Sequence, residues 1–392
     1  MIRIAFTLIG GKSWTGGYNY LLNLVRVMAK YHPEAVTPVL FFGTDIDPVE
    51  AACFAAIQGT EVVMSPCMNQ ARKQASLTRS VFLGVDAPVQ KLLRANDIDV
   101  IFENAQFFGQ RLGIPAIAWI PDFQHRGMPH LFSRPAYWKR ELGFRAQIAG
   151  SRTIMLSSED ARKTCEALYP STAGRTHVVR FAVPPPNITP TPAQARAVAD
   201  RYELPEHYFF MPNQFWQHKN HLLVVDALAL LKQRGHNMVV AASGKQLDPR
   251  LPGHFENVKA AIARSGVGEN FRLLGLLPYE DLVPLMCASV ALLNPSHFEG
   301  WSTTVEEARA LGVPMLLSDL DVHREQAEGI ACFFDRFSAE SLANALQSAQ
   351  EDTCGGVAYF PRVRATDPSA PVRRFADEFL SLVQSLAHSR TC

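Results

Sequence analysis

The sequence predicts an α/β fold in which two Rossmann-like, doubly wound domains face each other across a cleft. Short runs rich in β-branched and aromatic residues alternate with longer amphipathic stretches along the chain. Most of these runs are continuously apolar, as expected of strands buried on both faces of a parallel sheet. A length of 392 residues suits two domains, and a proline-rich segment interrupts the alternation near its middle. In such sheets, ligands bind outside the carboxyl ends of the strands.

Residues 1–183 are predicted to form the first domain. Its helix candidates include Tyr18–Tyr31 and Ser158–Tyr169. Because strands and helices alternate, this domain is expected to be a doubly wound sheet. The predicted strands are at 2–9, 36–42, 61–66, 99–103, 115–121, 153–158 and 176–183.

A linker is predicted at 184–204, because five of the nine residues from Pro184 to Pro192 are proline. Proline interrupts both helices and sheets. The alternation then restarts, which predicts a second domain at 205–371 with its clearest helix at His221–Arg234. The expected strands of this domain are at 207–212, 238–242, 271–277, 290–295, 313–318 and 330–335.

The composition argues against several classes of function. The 38 Lys and Arg residues are balanced by 37 Asp and Glu residues, so the chain is not a generic nucleic-acid binder. Its seven cysteines lack metal-ligand spacing, which predicts free thiols in a reducing cytoplasm and no metal site. No apolar run approaches the roughly 20 residues of a membrane helix, and the amino-terminal run is typical of a strand rather than a signal peptide.

A glycine-rich loop at 10–18 follows the first predicted strand and precedes a helix. Its Gly16 and Gly17 would let the backbone approach a ligand, and the helix start would offer N–H groups to an anion. The spacing is not that of the dinucleotide-binding fingerprint GxGxxG. The loop is therefore either a ligand-binding loop or a tight strand-to-helix turn.

The segment Asn213–His221 follows the first strand of the second domain and leads into a helix. Lys219 would there add its charge to the positive end of the helix dipole, a combination that suits a diphosphate. A solvated lysine in a first helical turn is the alternative interpretation.

Two carboxylates follow the strand at 290–295, with Glu299 in a loop and Glu307 in a helix. At one sheet edge they could accept hydrogen bonds from sugar hydroxyls. Thr303 and Glu306 have the spacing of a capping box, so we expect the helix to begin there with Glu306 as a capping residue. Glu299 or Glu307 alone could instead be an acidic residue that favours a helix N-terminus.

The segment 295–319, which reads PSHFEGWSTTVEEARALGVPMLLSD, resembles the signature of the retaining group 1 (family four) glycosyltransferases. TIMLSSEDARKTCEAL followed by HVVRFAVP resembles the end of that family's first domain, and FRLLGLLPYEDLVPLMCAS resembles its nucleotide-base stretch. The resemblance covers most of the chain. It implies the GT-B fold, an acceptor-binding first domain, a donor-binding second domain and no bound metal. The amphipathic segment 372–388 fits the family's C-terminal helix, which packs back on the first domain.

The resemblance also implies roles for individual residues. Lys219 would bind the donor diphosphate, Glu307 would bind the donor ribose, and Glu299 would face the transferred sugar. The implied catalytic residues are Glu299, Lys219, Asp122 and His125. The other implied donor-binding residues are Gly16, Gly17, Gln214, Ser243, Gly244, Leu276, Leu277, Gly300, Trp301, Ser302 and Thr303.

Two positions depart from the family pattern. The family usually has an arginine five residues before its diphosphate lysine, and Gln214 stands there in this chain. The family also often has a His-Asp pair after the fifth strand, whereas Pro121 precedes Asp122 here. His125 either replaces the missing histidine or is structural.

A basic stretch at 126–180 contains ten Lys and Arg residues, four acidic residues and interleaved aromatic side chains. This composition suits an anionic lipid surface or a lipid-linked diphosphate acceptor. A solvated helix face whose charge is compensated elsewhere is the alternative.

We therefore expect a retaining, metal-independent hexosyltransferase that moves a sugar from a nucleotide-diphosphate donor to a glycan or lipid-linked acceptor. The resemblance favours bacterial surface polysaccharide synthesis (lipopolysaccharide, O-antigen or capsule), with the protein in the cytoplasm and either free or peripheral on the inner membrane face. The alternatives are a sugar-nucleotide epimerase of the same fold and a non-catalytic subunit that binds a nucleotide sugar or glycan.

Overall fold

The computed structural model describes residues 1–8, 15–104, 106–186, 188–355, 358–361 and 367–388. The chain divides into two compact units. The first comprises Met1–Arg126, Arg134–Ala182 and Ser369–Cys392, and the second comprises Gly127–Ser133 and Val183–Pro368. The segment 127–133, which the sequence assigned to the first domain, thus belongs to the second unit.

The first unit is built on a parallel sheet. Its strands are β1 (Ile2–Thr7), β2 (Val36–Phe42), β3 (Glu61–Met64), β4 (Val100–Asn104), β5 (Ala116–Trp119), β6 (Thr153–Leu156) and β7 (Thr176–Val178). They pair in the order β3-β2-β1-β4-β5-β6-β7. Its helices are α1 (Thr15–Tyr31), α2 (Pro48–Ala55), α3 (Lys73–Phe82), α4 (Ala87–Ala95), α5 (Gln124–Gly127), α6 (Arg134–Ala149) and α7 (Glu159–Leu168).

The second unit repeats this plan with a second parallel sheet. Its strands are β8 (Phe209–Met211), β9 (Val240–Ser243), β10 (Phe271–Gly275), β11 (Ala291–Asn294), β12 (Met315–Ser318) and β13 (Cys332–Phe334). They pair in the order β10-β9-β8-β11-β12-β13. Its helices are α8 (Pro192–Arg201), α9 (His221–Gln233), α10 (His254–Ser265), α11 (Tyr279–Ala288), α12 (Thr303–Leu311), α13 (Asp321–Ala327) and α14 (Ala339–Thr353).

The central strands are buried on both faces, which explains their continuous apolar sequence. Every residue of β2 and of β4 is buried, including residues that would face solvent in a one-sided sheet. All thirteen predicted strands are present, and most are shorter than the apolar run that predicted them. The predicted class, two Rossmann-like α/β domains with parallel sheets, is confirmed.

The predicted linker at 184–204 contains a helix, α8, which is a correction to the sequence-based interpretation. Pro192 lies in its first turn, where a missing N–H breaks no helical hydrogen bond. Thr191 and Gln194 form a capping box in which each side chain accepts from the other's backbone N–H. A proline at this position therefore begins a helix rather than preventing one.

The C-terminal helix, α15 (Ala370–His388), packs on the first sheet. The Phe379 ring lies 6.2 Å from the Phe6 ring of β1 and 5.9 Å from the Phe102 ring of β4. Phe375 and Phe379 are both fully buried. The apolar face of this helix is therefore part of the core of the first unit.

Candidate functional site

The candidate site of the second unit lies where neighbouring strands end. Asn213 follows β8, Gly244 follows β9, and Glu299 lies in the loop after β11. Because β9, β8 and β11 are adjacent and parallel, their carboxyl ends share one edge of the sheet. The segments that the sequence singled out are therefore brought together by the fold.

Lys219 ends a 3-10 turn (Gln217–Lys219) that precedes α9, and it forms an ion pair with Glu299. Its Nζ donates to Glu299 Oε1 at 2.6 Å. The two side chains are only 13% and 8% exposed, so Lys219 is not a solvated surface lysine. Two of the three ammonium protons have no acceptor among the described residues, which leaves donors for an anionic ligand.

Glu299 is held in its ionised form. Burial opposes ionisation, but the Lys219 ammonium outweighs it and the pKa of Glu299 falls to about 2. The Ser296 hydroxyl also lies 2.7 Å from Glu299 Oε1. A fixed negative charge in a largely buried site can stabilise positive charge that develops on a sugar ring.

Asn220 holds the Lys219 turn against the loop that carries Glu299. Its backbone is left-handed, with φ 59°, a conformation that asparagine tolerates. Its Nδ2 donates to the carbonyl oxygens of Pro295 at 3.1 Å and Arg336 at 3.0 Å. The role of Asn220 could have been predicted from the sequence, because an asparagine between a turn and a helix indicates a left-handed backbone position.

Glu306 and Glu307 of α12 have different environments. Glu306 is buried and accepts from Arg309 and from Gln326 Nε2, so it is not the capping residue that the sequence predicted. Glu307 is partly buried and has no hydrogen bond or ion pair among the described residues. Burial raises the pKa of Glu307 to about 7. A carboxyl group without a protein partner is suited to accept hydrogen bonds from ligand hydroxyls.

The loop before α12 is fixed by Gln326, whose side chain accepts from Ser302 N at 3.0 Å and donates to Ser302 O at 3.1 Å. The Ser302 hydroxyl accepts from Asn294 Nδ2 at 2.9 Å. The backbone N–H that Ser302 was expected to offer to the donor is thus used to position the loop, and a contact between the Ser302 hydroxyl and the donor stays a prediction. Gly300 and Trp301 are half-buried, and Thr303 is exposed at the start of α12.

The residues expected near the nucleoside lie at the ends of β9 and β10. Ser243 is buried, and Gly244 has φ 145°. A Cβ on Gly244 would lie 2.5 Å from the Asn213 carbonyl oxygen, so this position requires glycine. Leu276 is 74% exposed directly after β10, whereas Leu277 packs against the core. Of the two leucines, Leu276 is the one with a surface for a nucleoside.

Gln214 stands where the family pattern has an arginine. Its Oε1 accepts from Lys245 N at 3.1 Å, which ties the loop after β8 to the loop after β9. This amide carries no charge, so it cannot supply the positive charge of that arginine.

Arg250 is a second cation beside the Lys219 turn, and sequence reasoning missed it. Its Nη2 lies 3.3 Å from His218 Nδ1, and its guanidinium lies 5.2 Å from the Trp216 ring. Burial and the Lys219 charge hold the pKa of His218 well below its ordinary value, so the imidazole is neutral and can accept from Arg250. Asp248 orients the arginine from the other side.

Asp122 of the first unit is paired within the fold. Its Oδ1 accepts from Arg140 Nη2 at 2.7 Å and from Gln124 N at 2.8 Å. The side chain is 24% exposed, and its second oxygen has no hydrogen bond among the described residues. The Arg140 guanidinium balances the charge of this carboxylate. A catalytic role for Asp122 stays a prediction.

His125 is fully buried, which corrects its assignment as a catalytic residue. Its Nε2 lies 3.1 Å from Glu141 Oε2, and Glu141 also accepts from Tyr169 and Arg145 at 2.7 Å each. Burial disfavours a charged Glu141, but these three contacts lower its pKa to about 2. Burial lowers the pKa of His125 itself. The histidine belongs to a buried polar network that stabilises the first unit.

Gly16 and Gly17 lie in the first turn of α1. Gly16 is exposed and Gly17 is buried. Residues 9–14, which include the rest of the glycine-rich loop, lie outside the described residues. Anion binding by this loop therefore stays a prediction.

The basic stretch at 126–180 is largely used by the fold. Arg152 is buried against Glu103, and Arg175 donates to four backbone carbonyls. Arg140, Arg145, Arg162 and Arg180 are paired with carboxylates. In the part of the chain that the structure describes, the basic residues of this stretch without a hydrogen-bond or ion-pair partner are Arg134, Lys139 and Lys163.

Within the described residues, no group of three or more His, Cys, Asp or Glu side chains could hold a metal ion. Over the same residues, no helix combines the length and the apolar character that crossing a membrane requires. The six cysteines at described positions are free thiols.

Comparison with known proteins identifies the second unit. Residues 199–356 match the family model of the glycosyl transferases group 1. The O-antigen chain mannosyltransferase B of Escherichia coli is 25% identical over 228 residues, which are 57% of this chain and 58% of that protein. The chain thus matches less than two thirds of the length of that curated relative.

Solved structures resemble the whole chain. Anabaena HepE (Alr3699), solved in complex with UDP-glucose, has a TM-score of 0.66 at 16% identity, over 99% of this chain and 98% of that chain. WaaG, a glycosyltransferase involved in lipopolysaccharide biosynthesis, has a TM-score of 0.59 at 17% identity, over 99% and 98%. The chain therefore resembles the group 1 glycosyltransferases, has the GT-B fold, and carries the family's domain at residues 199–356.

Proposed function

We propose that the protein is a retaining, metal-independent glycosyltransferase that moves a sugar from a nucleotide-diphosphate donor to a glycan or lipid-linked acceptor in surface polysaccharide synthesis. The observation that carries this proposal is the largely buried Lys219–Glu299 pair at the sheet edge. On the helix that follows, the carboxyl group of Glu307 has no hydrogen bond or ion pair among the described residues. The mannosyltransferase and lipopolysaccharide enzymes among the similar proteins support the choice of pathway.

The charges of the site suit a nucleotide sugar. Lys219 and Arg250 would bind the diphosphate. Among the described residues, the Lys219 ammonium has two N–H donors without an acceptor, and the Arg250 guanidinium contacts His218, the residue before Lys219. Glu307 would accept hydrogen bonds from the ribose hydroxyls. Leu276 would contact the base. With two cations at the diphosphate, the missing charge at Gln214 is replaced without a metal ion.

In the proposed reaction, the bond between the anomeric carbon and the donor phosphate oxygen breaks while the acceptor oxygen bonds to the same face of the sugar. Lys219 and Arg250 stabilise the negative charge that grows on the departing diphosphate. Glu299 faces the positive charge that develops on the sugar ring. The proton of the acceptor hydroxyl passes to the departing phosphate oxygen, so the step needs no protein base.

We also propose that the protein works in the cytoplasm, peripherally attached to the inner face of the membrane. Exposed Trp138 and Leu142 on α6 accompany Arg134 and Lys139 of the same helix, which have no ion-pair partner among the described residues. This combination suits an anionic interface. Co-sedimentation with anionic vesicles should fall as salt rises, because these charges are screened within a Debye length of about 8–10 Å. Equal recovery on neutral vesicles would contradict the attachment.

The donor is best identified by thermal unfolding with UDP, GDP, ADP and their sugars. A ligand at a free concentration of 100 times its Kd stabilises the folded protein by about 2.7 kcal/mol. The correct nucleotide should therefore give the largest rise in unfolding temperature. Lys219→Ala should abolish that shift. No shift with any nucleotide would contradict the proposal.

The reaction class is tested with the donor so identified. Product formation should require an acceptor, survive EDTA and retain the anomeric configuration in the NMR coupling constant. Conversion of the donor alone into an isomeric nucleotide sugar would indicate an epimerase. Donor binding without turnover across glycan and lipid-linked acceptors would indicate a binding subunit.

A further inference from the structure

A chain of buried polar side chains leads from α13 to Glu299. His323 of α13, Ser318 and Ser296 are each fully buried. Ser318 ends β12, Ser296 follows β11 by two residues, and these two strands are adjacent and parallel. The chain therefore lies at the same sheet edge as the Lys219–Glu299 pair, where the proposed reaction gives none of its three members a role.

The tautomer of His323 follows from its contacts. Its Nδ1 lies 3.0 Å from the Ser318 carbonyl oxygen and 3.1 Å from Ser318 Oγ. A carbonyl oxygen can only accept a hydrogen bond, so Nδ1 carries a proton and donates to Ser318. In the neutral ring, Nε2 is then an unprotonated acceptor.

Ser318 connects the imidazole to the loop that carries Glu299. Its hydroxyl donates to the Ser296 carbonyl oxygen at 2.7 Å, and the Ser296 hydroxyl lies 2.7 Å from Glu299 Oε1. The next residue, His297, donates from its backbone N to the His218 carbonyl oxygen at 2.8 Å. The beginning of the loop is therefore held by the end of β12 and by the turn that precedes α9.

These contacts leave one oxygen of Glu299 available. The Lys219 ammonium and the Ser296 hydroxyl both contact Oε1. Among the described residues, Oε2 has no hydrogen bond. Because Oε1 is fixed by both groups, the direction in which Oε2 points depends on how Ser296 is held.

The Nε2 atom of His323 is buried and has no hydrogen-bond partner among the described residues. Burial lowers the pKa of His323, the Glu299 charge raises it, and the charges of Lys219 and Arg336 lower it. The imidazole is therefore neutral at neutral pH and lies within electrostatic range of the ion pair. A buried acceptor without a donor costs stability, so the stability of the fold alone does not explain a histidine here.

We propose that His323 is a positioning residue for the transfer reaction: through Ser318 and Ser296, its Nδ1–H holds the loop so that Oε2 of Glu299 faces the sugar. This inference rests on the proposed function, because it concerns the carboxylate that stabilises the charge of the sugar ring. A displacement of about 1 Å at such a group can lower a rate by about two orders of magnitude. His323 can therefore control the rate without touching the substrate.

The first test separates turnover from donor binding. His323→Leu should lower kcat about tenfold and leave the Kd of the nucleoside diphosphate within about threefold of the wild-type value, because Lys219 keeps its N–H donors. His323→Asn should keep most of the wild-type kcat, because its Nδ2–H can donate to Ser318 as Nδ1–H does. His236→Leu, at a half-buried histidine before β9, is the control and should change neither quantity. Steady-state transfer and calorimetry measure the two quantities.

The second test asks whether His323 acts through Glu299. In the Glu299→Gln background, whose side chain carries no charge, His323→Leu should lower kcat by less than about twofold further. Ser318→Ala, a smaller change that removes only a hydroxyl of the chain, should lower kcat about threefold in the wild type and not at all in the Glu299→Gln background. Independent structural damage would instead multiply in the double variants.

The third test does not depend on turnover. Hydrogen–deuterium exchange of the backbone amides of 296–302 should be faster in His323→Leu than in the wild type, and His323→Asn should restore the wild-type rate. Nitrogen NMR of the histidine rings should show His323 protonated at Nδ1 and unprotonated at Nε2 at neutral pH.

The positioning role is overturned if His323→Leu keeps the wild-type kcat, if its effect on kcat is the same with and without the Glu299 carboxylate, or if Nε2 carries the proton. An equal loss of kcat in His323→Asn and His323→Leu would also overturn it, since the Nδ1 donor would then be unnecessary. If Glu299→Gln transfers sugar as the wild type does while the exchange of 296–302 still depends on His323, the role of Glu299 in the proposed function fails and the contact of His323 with the loop stands. If Glu299→Gln is impaired and His323→Leu is not, the inference alone fails.

Discussion

The carboxyl edges of the two sheets differ in how their charges are satisfied. On the second sheet, Lys219 and Glu299 meet at 2.6 Å, and Asn220 holds their two segments together. On the first sheet, Lys73 and Lys139 line cavities and form no ion pair within 4 Å among the described residues, although the Asp45 charge acts on Lys73 at longer range. The second edge thus contains an internal ion pair, whereas these two cations of the first edge line cavities.

This difference indicates which ligands the charges of each edge favour. Lys219 stays paired with Glu299 and, among the described residues, still has N–H donors without an acceptor, so an incoming diphosphate can bind without leaving Glu299 unpaired. The residues expected to catalyse from the first unit, Asp122 and His125, are bound within its fold.

The largest effect is expected from Lys219→Ala. Loss of a charge contact to the leaving diphosphate should cost about 3–4 kcal/mol of transition-state stabilisation, or two to three decades in kcat/KM. The variant should also unfold at a lower temperature, because Glu299 is left buried without its cation. Steady-state transfer and thermal unfolding measure the two effects.

The double variant Lys219→Met with Glu299→Gln separates the loss of transfer from the loss of thermal stability. Removing both charges should restore much of the stability without restoring transfer. Near-normal transfer by Lys219→Ala would show that the diphosphate is bound elsewhere.

His125→Ala tests the structural role of this histidine in the first unit. It removes one of the partners of buried Glu141 and leaves a cavity, so we expect a loss of about 2–3 kcal/mol in the free energy of unfolding. The kcat of the folded enzyme should be unchanged. His177→Ala, at an exposed histidine of β7, is the control. A drop in kcat at unchanged stability would return His125 to the catalytic residues.

Arg250→Ala should weaken donor binding about tenfold, which corresponds to about 1.4 kcal/mol for a charge-assisted contact. Arg250→Lys, which keeps the charge, should lose less. Arg264→Ala, at an exposed arginine of α10, is the matched control. Calorimetry with the nucleoside diphosphate checks this, and equal affinity for all variants would mean that the charge missing at Gln214 is not supplied by Arg250.

The smallest effect is expected in the pH dependence of Glu307→Gln. The pKa of Glu307 is raised from 4.5 to about 7, so its proton stabilises the fold fully below pH 4.5 and progressively less up to pH 7. Removing the carboxyl group should raise Tm by about 2–4 °C at pH 8, or about 1 kcal/mol, and leave it unchanged near pH 4.5. Glu280→Gln, in the first turn of α11, is the control.

The same Glu307→Gln variant should bind the nucleoside diphosphate more weakly, because the ribose hydroxyls lose a hydrogen-bond acceptor. Glu299→Gln should instead lower transfer and keep most of the nucleotide affinity. If both variants lose affinity equally, the division of roles between the two carboxylates is wrong.

Local pattern was sufficient for most of the fold. Buried parallel strands are continuously apolar, and Ser158 accepts from Ala161 N as the cap that begins α7. The prolines of 184–192 predict a linker, because proline usually interrupts a helix. Pro192 instead lies in the first turn of α8, where proline is compatible with a helix. The placement of residues 127–133 in the second unit has no local signal at all.

The sequence by itself determined the alternation of strands and helices, the order of the two units, and the positions of Lys219, Glu299 and Glu307 in segments that follow strands. These depend on residues within a few positions of one another. Only the tertiary structure decided that Lys219 meets a residue 80 positions away, that Arg250 lies against His218 beside Lys219, and that His125 is buried. Such contacts are set by which strands become neighbours in the sheet, and a hydrogen bond or ion pair between distant segments leaves no local pattern by which it could be predicted.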